Sequence, residues 1–296
     1  MKFSCHTSEF LESLQLVSRA ISGQQALPIL GNILFSAQGN ECTVSATDLE
    51  LSIITRFSAN IEREGSITIP SKTILNFAQY NNDAEVMLEL VDGTQLKCTS
   101  AHSKTNLAGE RASEYPSIPA VEKKTSFMLD GAPLLEALNL VTFASARTSL
   151  RPVLSGVYLR AEAKKLILVS TDSYRLSECV IDTDVEESVS CIIPVKVLEE
   201  LKMMLASKKP AKRTVSEEHE KQGTREEALP ITITLSAQQI EVQLGNTRLV
   251  SRLIDGKFPD YRQIIPKDAT TKALLSVREL TTAVKRMHYF AKEVNN

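Results

Sequence analysis

The sequence has no apolar run approaching the ~18 residues that a membrane-spanning helix needs. Its first residues lack a basic start followed by an apolar stretch, so we expect no signal peptide. The formal net charge is −2, so the chain also lacks the strong excess of basic residues that is common in nucleic-acid-binding domains. With 43% hydrophobic and 24% charged residues, the composition is that of an ordinary globular protein. A length of 296 residues fits about two to three domains.

Cysteines are few and scattered, and none lies close enough to another to suggest a metal-binding knuckle. Several fall within runs that resemble strands. Such a distribution favours buried free thiols in a reducing cytoplasm over disulfides or metal ligands. The cysteines are Cys5, Cys42, Cys98, Cys179 and Cys191.

Motifs of catalysis are also missing. The sequence contains no GxGxxG fingerprint, no Walker lysine loop and no GxSxG nucleophile elbow. The four histidines, His6, His102, His219 and His288, are isolated, and none has a second ligand at a familiar metal-binding spacing. We therefore expect no catalytic residues, no metal and no cofactor, and a protein that is not an enzyme.

Two Thr-Asp pairs, Thr47-Asp48 and Thr171-Asp172, place a hydroxyl next to a carboxylate. Neighbouring side chains on a strand point to opposite faces, so neither pair predicts a catalytic dyad. The pattern favours a turn at the end of a strand, in which Asp accepts hydrogen bonds from its own backbone. An enzyme built on these pairs stays as an alternative, but it would require a cluster of titratable groups in a cleft.

The sequence does contain an internal repeat. Four separate landmarks of Met1–Pro119 return 124 residues later within Phe127–Pro266. Tyr115-Pro116 matches Phe258-Pro259 at an offset of 143, so the second copy carries extra residues, which lie in Ser207–Leu229. A chain built from one repeated supersecondary unit is usually a binding scaffold. The landmark pairs are Phe3 and Phe127, Leu14 and Leu138, Thr47-Asp48 and Thr171-Asp172, and Ile69-Pro70 and Ile193-Pro194.

A third copy begins and is incomplete. Ala273–Val284 aligns with the starts of the first two units, and the sequence ends at Asn296. We predict domains at residues 1–121 and 126–267, the second with a charged, solvated and mobile loop at residues 207–229. Residues 271–296 would form the first strand and helix of a third domain. Our hypothesis is that the sequence is a fragment of a longer reading frame.

Each unit is predicted to start with a strand and a helix. In the first unit Ser8 is the expected N-cap and Gly23 the expected end, while Pro133 falls in the first turn of the second unit's helix. Ser276 and Glu279 form a capping box in the third unit.

Further strands follow, and a second helix starts after Pro70 and again after Pro194. A last hairpin closes each unit, in the first through Asp92-Gly93. The fold class is α+β, in tandem repeats of two helices packed on antiparallel sheet.

Specific strings carry a family resemblance. Leu27–Asn32 (LPILGN) followed by Ala46–Glu50 (ATDLE), then Ser170–Leu176 (STDSYRL), and then Ile254–Tyr261 (IDGKFPDY) resemble the bacterial DNA sliding clamp, the beta subunit of DNA polymerase III. The resemblance covers essentially the whole chain. It implies that the repeats are arcs of a ring of two three-domain subunits, with helices lining the hole. Such a ring encircles duplex DNA and slides without reading its sequence.

The resemblance also implies partners. They are double-stranded DNA, the replicative DNA polymerase subunit, an ATP-driven clamp loader, and other replication and repair proteins that carry a short apolar clamp-binding motif. The full-length family forms a homodimer, and no membrane is involved. We expect a cytoplasmic, nucleoid-associated protein.

The family's partner-peptide cleft lies between its second and third domains. Many clamps have Gly-His where this chain has Ser173-Tyr174, and often Arg at Gln263, and these differences could alter partner preference. Carried over by position, the cleft residues are Leu154, Thr171, Ser173, Tyr174, Arg175, Leu176, Pro259, Gln263 and Ile264. Leu154 and Leu176 could alternatively be core residues.

For DNA contact, the family's loop that faces the hole corresponds to Ala144–Arg151 here. The candidate DNA-contacting residues are Lys72, Arg147, Arg151 and Lys196. Tyr289 and Phe290 match an apolar pair of the family's dimer interface. Ordinary solvated surface lysines and arginines are the alternative for the cations.

The incomplete third unit leaves two functional hypotheses. The first is a non-enzymatic processivity factor, which we expect to close rings poorly with the sequence as it stands. The second is a two-domain fragment that acts only as a peptide-binding adaptor. Binding of a polymerase-tail peptide, compared with retention on DNA, would separate the two.

Overall fold

The structure is a computed structural model that describes residues 1–23, 27–118, 120–122, 124–147, 151–185, 188–207, 229–266 and 268–291, without the side chain of residue 289. It divides into two compact units, Met1–Phe258 and Pro259–Asn296. Of the predicted mobile loop at residues 207–229, positions 208–228 lie outside the described residues.

The first half of the larger unit alternates strands with two helices in its described residues. A strand leads directly into the first helix, and three hairpin-linked strands close the half. The elements are β1 (Lys2–His6), α1 (Thr7–Ser18), β2 (Asn32–Gln38), β3 (Glu41–Thr47), β4 (Leu51–Ser58), β5 (Asn60–Arg63), β6 (Gly65–Pro70), α2 (Ser71–Gln79), β7 (Glu85–Val91), β8 (Gln95–Thr99) and β9 (Lys104–Ala108).

The second half follows the same order, without a described counterpart of β5. Its elements are β10 (Thr125–Asp130), α3 (Gly131–Val141), β11 (Gly156–Glu162), β12 (Lys165–Thr171), β13 (Leu176–Asp182), β14 (Val189–Pro194), α4 (Val195–Ser207), β15 (Pro230–Leu235), β16 (Gln239–Leu244) and β17 (Thr247–Arg252). The helices predicted after Pro70 and Pro194 are therefore confirmed.

Antiparallel pairing joins these strands into three sheets. A five-stranded sheet has the order β5-β1-β7-β8-β9, and a four-stranded sheet has the order β13-β12-β11-β14. The eight-stranded sheet, β10-β15-β16-β17-β4-β3-β2-β6, takes four strands from each half and crosses between them where β17 pairs with β4. Each half therefore divides its strands between two sheets, and α1 packs on both β1 and β4.

Helical spacing explains how the helices are held. In α1, Phe10, Leu14 and Val17 recur every three or four residues and are fully buried. The Phe10 ring centroid lies 6.3 Å from that of Phe35 on β2 and 6.1 Å from that of Phe57 on β4. One helical stripe thus fills the space between two strands of the large sheet.

The predicted limits of α1 were wrong. The helix begins at Thr7 with an extended His6 as N-cap, and no side chain caps it, so Ser8 is already helical. The Thr7 amide donates instead to Ala84 O at 2.9 Å, which lets β1 lead straight into the helix. The helix ends at Ser18, well before Gly23, because the following amides form the tighter i to i−3 bonds of a last turn.

The hairpins agree with the sequence patterns. Asp92 and Gly93 both have positive φ, at 52° and 76°, as the turn joining β7 to β8 requires. In β16, Ile240, Val242 and Leu244 are buried and alternate with partly exposed residues, so one face of the strand packs on the core.

The smaller unit contains a short 3-10 helix, Tyr261–Gln263, and the longer α5 (Val277–Ala291). Ser276 Oγ accepts the Glu279 amide at 3.4 Å, which is one half of the predicted capping box. Leu280 and Val284, on the apolar stripe of α5, are exposed. Across the described part of the chain, no helix combines the length and apolarity needed to span a bilayer.

Candidate functional site

The first Thr-Asp pair forms a closed turn between β3 and β4. Thr47 Oγ1 donates to Leu51 O at 3.1 Å and accepts the Leu49 amide at 3.0 Å. Asp48 Oδ1 accepts the amides of Glu50 and Leu51 at 3.1 and 2.8 Å. Leu49 has a φ of 76°. Because the Asp48 carboxylate accepts hydrogen bonds from two backbone amides, the Thr47-Asp48 pair is confirmed as a turn at the end of a strand.

The second pair repeats that turn between β12 and β13. Thr171 Oγ1 donates to Arg175 O at 2.8 Å and accepts the Ser173 amide at 3.1 Å, and Ser173 also has a φ of 76°. Asp172 Oδ1 accepts the amides of Tyr174 and Arg175, each at 3.0 Å. These backbone hydrogen bonds, first that from Arg175, lower the pKa of Asp172.

The second turn carries an exposed aromatic group. Tyr174 is 98% exposed at its tip. Next to it, the Arg175 guanidinium carbon lies 5.4 Å from the ring centroid of Phe143, and its Nε donates to Asp172 Oδ2 at 3.0 Å. Phe143 is itself 56% exposed, so the turn and this ring offer apolar surface beside fixed polar groups.

Leu154 and Thr171 contribute little surface to this region. Leu154, in the 3-10 helix Pro152–Ser155 just before β11, is 3% exposed, and Thr171 is also buried. Leu176, the first residue of β13, is partly exposed. Leu154 thus packs as a core residue, while the neighbouring turn provides the accessible surface.

The remaining predicted cleft residues belong to the smaller unit. Pro259 is exposed at its start, and Ile264 is exposed after the 3-10 helix. Gln263 Nε2 donates to Asp260 Oδ2 at 2.8 Å, which fixes the amide within its own helix. Their place in a cleft stays a prediction.

The sequence analysis did not include Phe143 among the cleft residues. The repeat could have indicated it, because Phe143 stands 124 residues after Arg19, at the matching position of the first half. A charged residue of the first half is thus replaced by an exposed aromatic residue in the second.

The four candidate DNA-contacting residues are all exposed, but their surroundings differ. Lys196, at the start of α4, donates from Nζ to Asp48 Oδ2 at 2.6 Å, and its side chain is 49% exposed. Lys72 occupies the matching position at the start of α2. Arg147 and Arg151 flank residues 148–150, which lie outside the described residues. Asp48 is a carboxylate partner of Lys196, and it reduces the charge that Lys196 presents toward DNA.

Lys72 borders an open groove between α2 and β9. Phe77 and Leu107 supply its apolar lining, and Lys104 and His102 stand at its border. The groove therefore combines apolar side chains with cationic ones.

A second ion pair crosses between the halves near Lys196. The Arg19 guanidinium at the end of α1 lies 3.8 Å from the Glu200 carboxylate on α4. Burial raises the pKa of Glu200, although Arg19 and Lys196 act in the opposite direction. The two halves are thus joined by ion pairs as well as by β4 and β17.

Of the predicted dimer residues, Phe290 is exposed on α5, whereas the side chain of Tyr289 lies outside the described residues. Within the same described part of the chain, no three His, Cys, Asp or Glu side chains come together as metal ligands.

Both halves of the chain match family models of the same protein, the DNA polymerase III beta subunit. The family model of the DNA polymerase III beta subunit N-terminal domain matches residues 1–119. The model of the DNA polymerase III beta subunit central domain matches residues 128–260.

Individual relatives agree. A beta sliding clamp of Haemophilus influenzae is 30% identical over 274 residues, which covers 91% of this chain and 69% of the relative. A beta sliding clamp of Synechocystis sp. is 28% identical over 317 residues, covering 100% of this chain and 77% of the relative. The crystal structure of the DNA polymerase sliding clamp from Bacillus subtilis has a TM-score of 0.86 at 26% identity, covering 97% of this chain and 73% of that one. The predicted fold class of α+β clamp repeats is thereby confirmed.

Proposed function

The chain belongs to the beta sliding clamp family, the beta subunit of DNA polymerase III, and from that membership we propose how its residues act. It is a DNA polymerase processivity factor. We propose that it works without catalysis in the bacterial cytoplasm, as part of a homodimeric ring that surrounds duplex DNA.

The observation that carries this proposal is the eight-stranded sheet that crosses from one half to the other. Because β4 and β17 pair edge to edge, two copies of one module stand side by side and are joined by backbone hydrogen bonds. Repeated modules joined in this way form extended walls, which suit a long polymeric ligand better than a small substrate.

Contact with DNA would be made at the phosphates. Lys72, Arg147 and Arg151 are exposed cations that could reach a phosphate backbone, and such contacts carry no sequence information. Lys196 would contribute less to DNA binding, because its ammonium group is paired with the Asp48 carboxylate. Few and weak phosphate contacts agree with the net charge of −2 and would let the protein slide.

Partner proteins would be held at the second Thr-Asp turn. Tyr174 and Phe143 offer exposed aromatic surface. The backbone peptide groups of the turn and the Arg175 guanidinium offer polar contacts. Peptides with apolar anchors are bound by such surfaces. We propose the replicative polymerase subunit, the clamp loader and other proteins with the clamp-binding motif as its occupants.

Retention on DNA tests encirclement. The chain is incubated with nicked circular duplex DNA, clamp loader and ATP, and the DNA is then separated by gel filtration with and without linearisation. Because the sequence as it stands is expected to close rings poorly, we expect only a small fraction of the chain to remain on the circle, and that fraction should be lost from the linear form. Equal retention on both forms, or no retention on either, would count against encirclement.

A further inference from the structure

Lys196 and Asp48 differ in how firmly each side chain is held. Asp48 is fixed, because its Oδ1 accepts the amides of Glu50 and Leu51 at 3.1 and 2.8 Å and its side chain is only 10% exposed. The Lys196 ammonium bonds the other oxygen, Oδ2, and its side chain is 49% exposed. Lysine carries its charge on a flexible four-carbon stem. The lysine can therefore leave this contact while the carboxylate stays in its turn.

The second Thr-Asp turn shows why Asp48 has an oxygen to offer. At the offset of 124 residues, Asp172 corresponds to Asp48 and Arg175 corresponds to Leu51. Arg175 Nε donates to Asp172 Oδ2 at 3.0 Å, within its own turn. Leucine has no side-chain donor, so in the first turn the same carboxylate oxygen accepts a cation from the other half of the chain.

A second carboxylate lies close to Lys196. Glu200 stands one helical turn further along α4, and its side chain is 14% exposed. Burial raises the pKa of Glu200, and the positive charges of Arg19 and Lys196 act against that rise. The Lys196 ammonium thus lies among acidic groups, and a DNA phosphate that binds it has to compete with them.

We propose that Asp48 is a built-in competitor of DNA for Lys196, so that a phosphate must displace this carboxylate before the lysine contacts DNA. Phosphate and carboxylate groups both offer anionic oxygens to an ammonium group. Because Asp48 stays in its turn, it also repels a phosphate that has taken the lysine. Asp48 would therefore keep this DNA contact weak, as sliding requires. This role of Asp48 rests on the proposed function, because it requires DNA contact at Lys196.

The competition links DNA contact to the junction between the two halves. Lys196 belongs to the second half and Asp48 to the first, so a phosphate that takes Lys196 removes one of the ion pairs that join them. The pairing of β4 with β17 and the contact between Arg19 and Glu200 remain. Coupling between binding free energies is reciprocal, so a stronger ion pair between Lys196 and Asp48 must weaken the DNA contact of Lys196.

Binding of a short linear duplex, followed by fluorescence anisotropy at low salt, tests the competition without ring closure. Asp48→Asn should raise the affinity of the full chain about two- to fivefold, because asparagine keeps an oxygen for the turn amides but no longer holds the ammonium. The released lysine adds about one phosphate contact. A plot of log affinity against log salt concentration should therefore become steeper by about 0.9.

Two further variants separate the released lysine from a general loss of negative charge. Glu50→Gln removes an exposed carboxylate of the same turn and should raise the affinity by less than about twofold. In a chain that also carries Lys196→Gln, Asp48→Asn should give no more gain than Glu50→Gln, because there is no ammonium to release. A full gain without Lys196, or an equal gain with Glu50→Gln, would overturn the role of Asp48.

Arg147→Gln shows whether the duplex contacts the proposed cations. Arg147 is exposed, and its replacement should weaken binding and flatten the salt dependence. Weaker binding by Arg147→Gln together with an unchanged affinity of Asp48→Asn would overturn the role of Asp48 and leave the proposed DNA contact standing. A wild-type chain that binds no duplex would count against the DNA contact itself, and the role of Asp48 would fall with it.

Discussion

Lys196 and Asp48 are separated by 148 residues in the chain, and 2.6 Å separates the Lys196 ammonium nitrogen from an Asp48 carboxylate oxygen. The lysine starts a helix of the second half, and the aspartate closes a turn of the first. This ion pair thus ties the repeated modules together at a residue that the family resemblance predicts to contact DNA.

A double-mutant cycle measures this tie. Lys196→Gln and Asp48→Asn should show a coupling free energy of about 0.2–1 kcal/mol in urea unfolding, since the ammonium is half exposed and partly screened. Asparagine keeps the oxygen that accepts the turn amides, so the turn survives. Lys72→Gln is the control for loss of charge and should show no coupling to Asp48→Asn. A zero coupling for Lys196 would mean that the ion pair does not join the halves.

Titration of His102 provides a second prediction. Its Nδ1 lies 2.6 Å from Asp83 Oδ1, and this hydrogen bond raises the pKa of His102. The pKa of Asp83 is lowered to about 2, chiefly by the hydroxyl of Ser100 and then by His102. NMR titration should give His102 a pKa above its ordinary 6.5, and Asp83→Asn should bring it back toward that value.

The sign of the pH effect on stability follows from these shifts. A raised histidine pKa stabilises the fold below about pH 6.5, and the contribution disappears as the pH rises through the folded-state value. The lowered pKa of Asp83 stabilises the fold above about pH 3.8, and that contribution is lost as the pH falls toward 2. The wild type should therefore exceed Asp83→Asn in stability most clearly between these limits. A difference that grows above pH 8 would contradict the assignment.

Ser173→Gly tests the strain of the second turn. Ser173 has a φ of 76°, which costs a residue with a side chain roughly 1 kcal/mol and costs glycine little. Glycine gains freedom in the unfolded chain, which offsets part of this relief, so we expect a net rise in unfolding free energy of less than about 1 kcal/mol. Ser173→Ala should give no such rise. A less stable glycine variant in urea unfolding would show that the serine side chain contributes more than the backbone strain costs.

The repeat made much of the fold predictable. The offset of 124 residues correctly paired the Thr-Asp turns, which proved to have the same hydrogen bonds and the same positive φ. Alternating apolar residues identified the hairpins because burial on one face leaves a local signal in the sequence.

Contacts between distant residues left no such signal. The pairing of β4 with β17, and hence the eight-stranded sheet, depends on backbone groups that any residue supplies. The start of α1 was misplaced because its first amide bonds a distant carbonyl and not a capping side chain. The Lys196 ion pair likewise required knowledge of which modules are neighbours.

Calorimetric titration of a polymerase-tail peptide into the full chain tests most directly whether the second Thr-Asp turn holds partner proteins. Tyr174→Ala should weaken binding at least about tenfold, because an exposed aromatic side chain at the centre of a binding surface contributes strongly. Tyr80→Ala removes another well-exposed tyrosine from the end of α2 and should bind like the wild type. Equal affinity of Tyr174→Ala and the wild type would contradict a docking site at this turn.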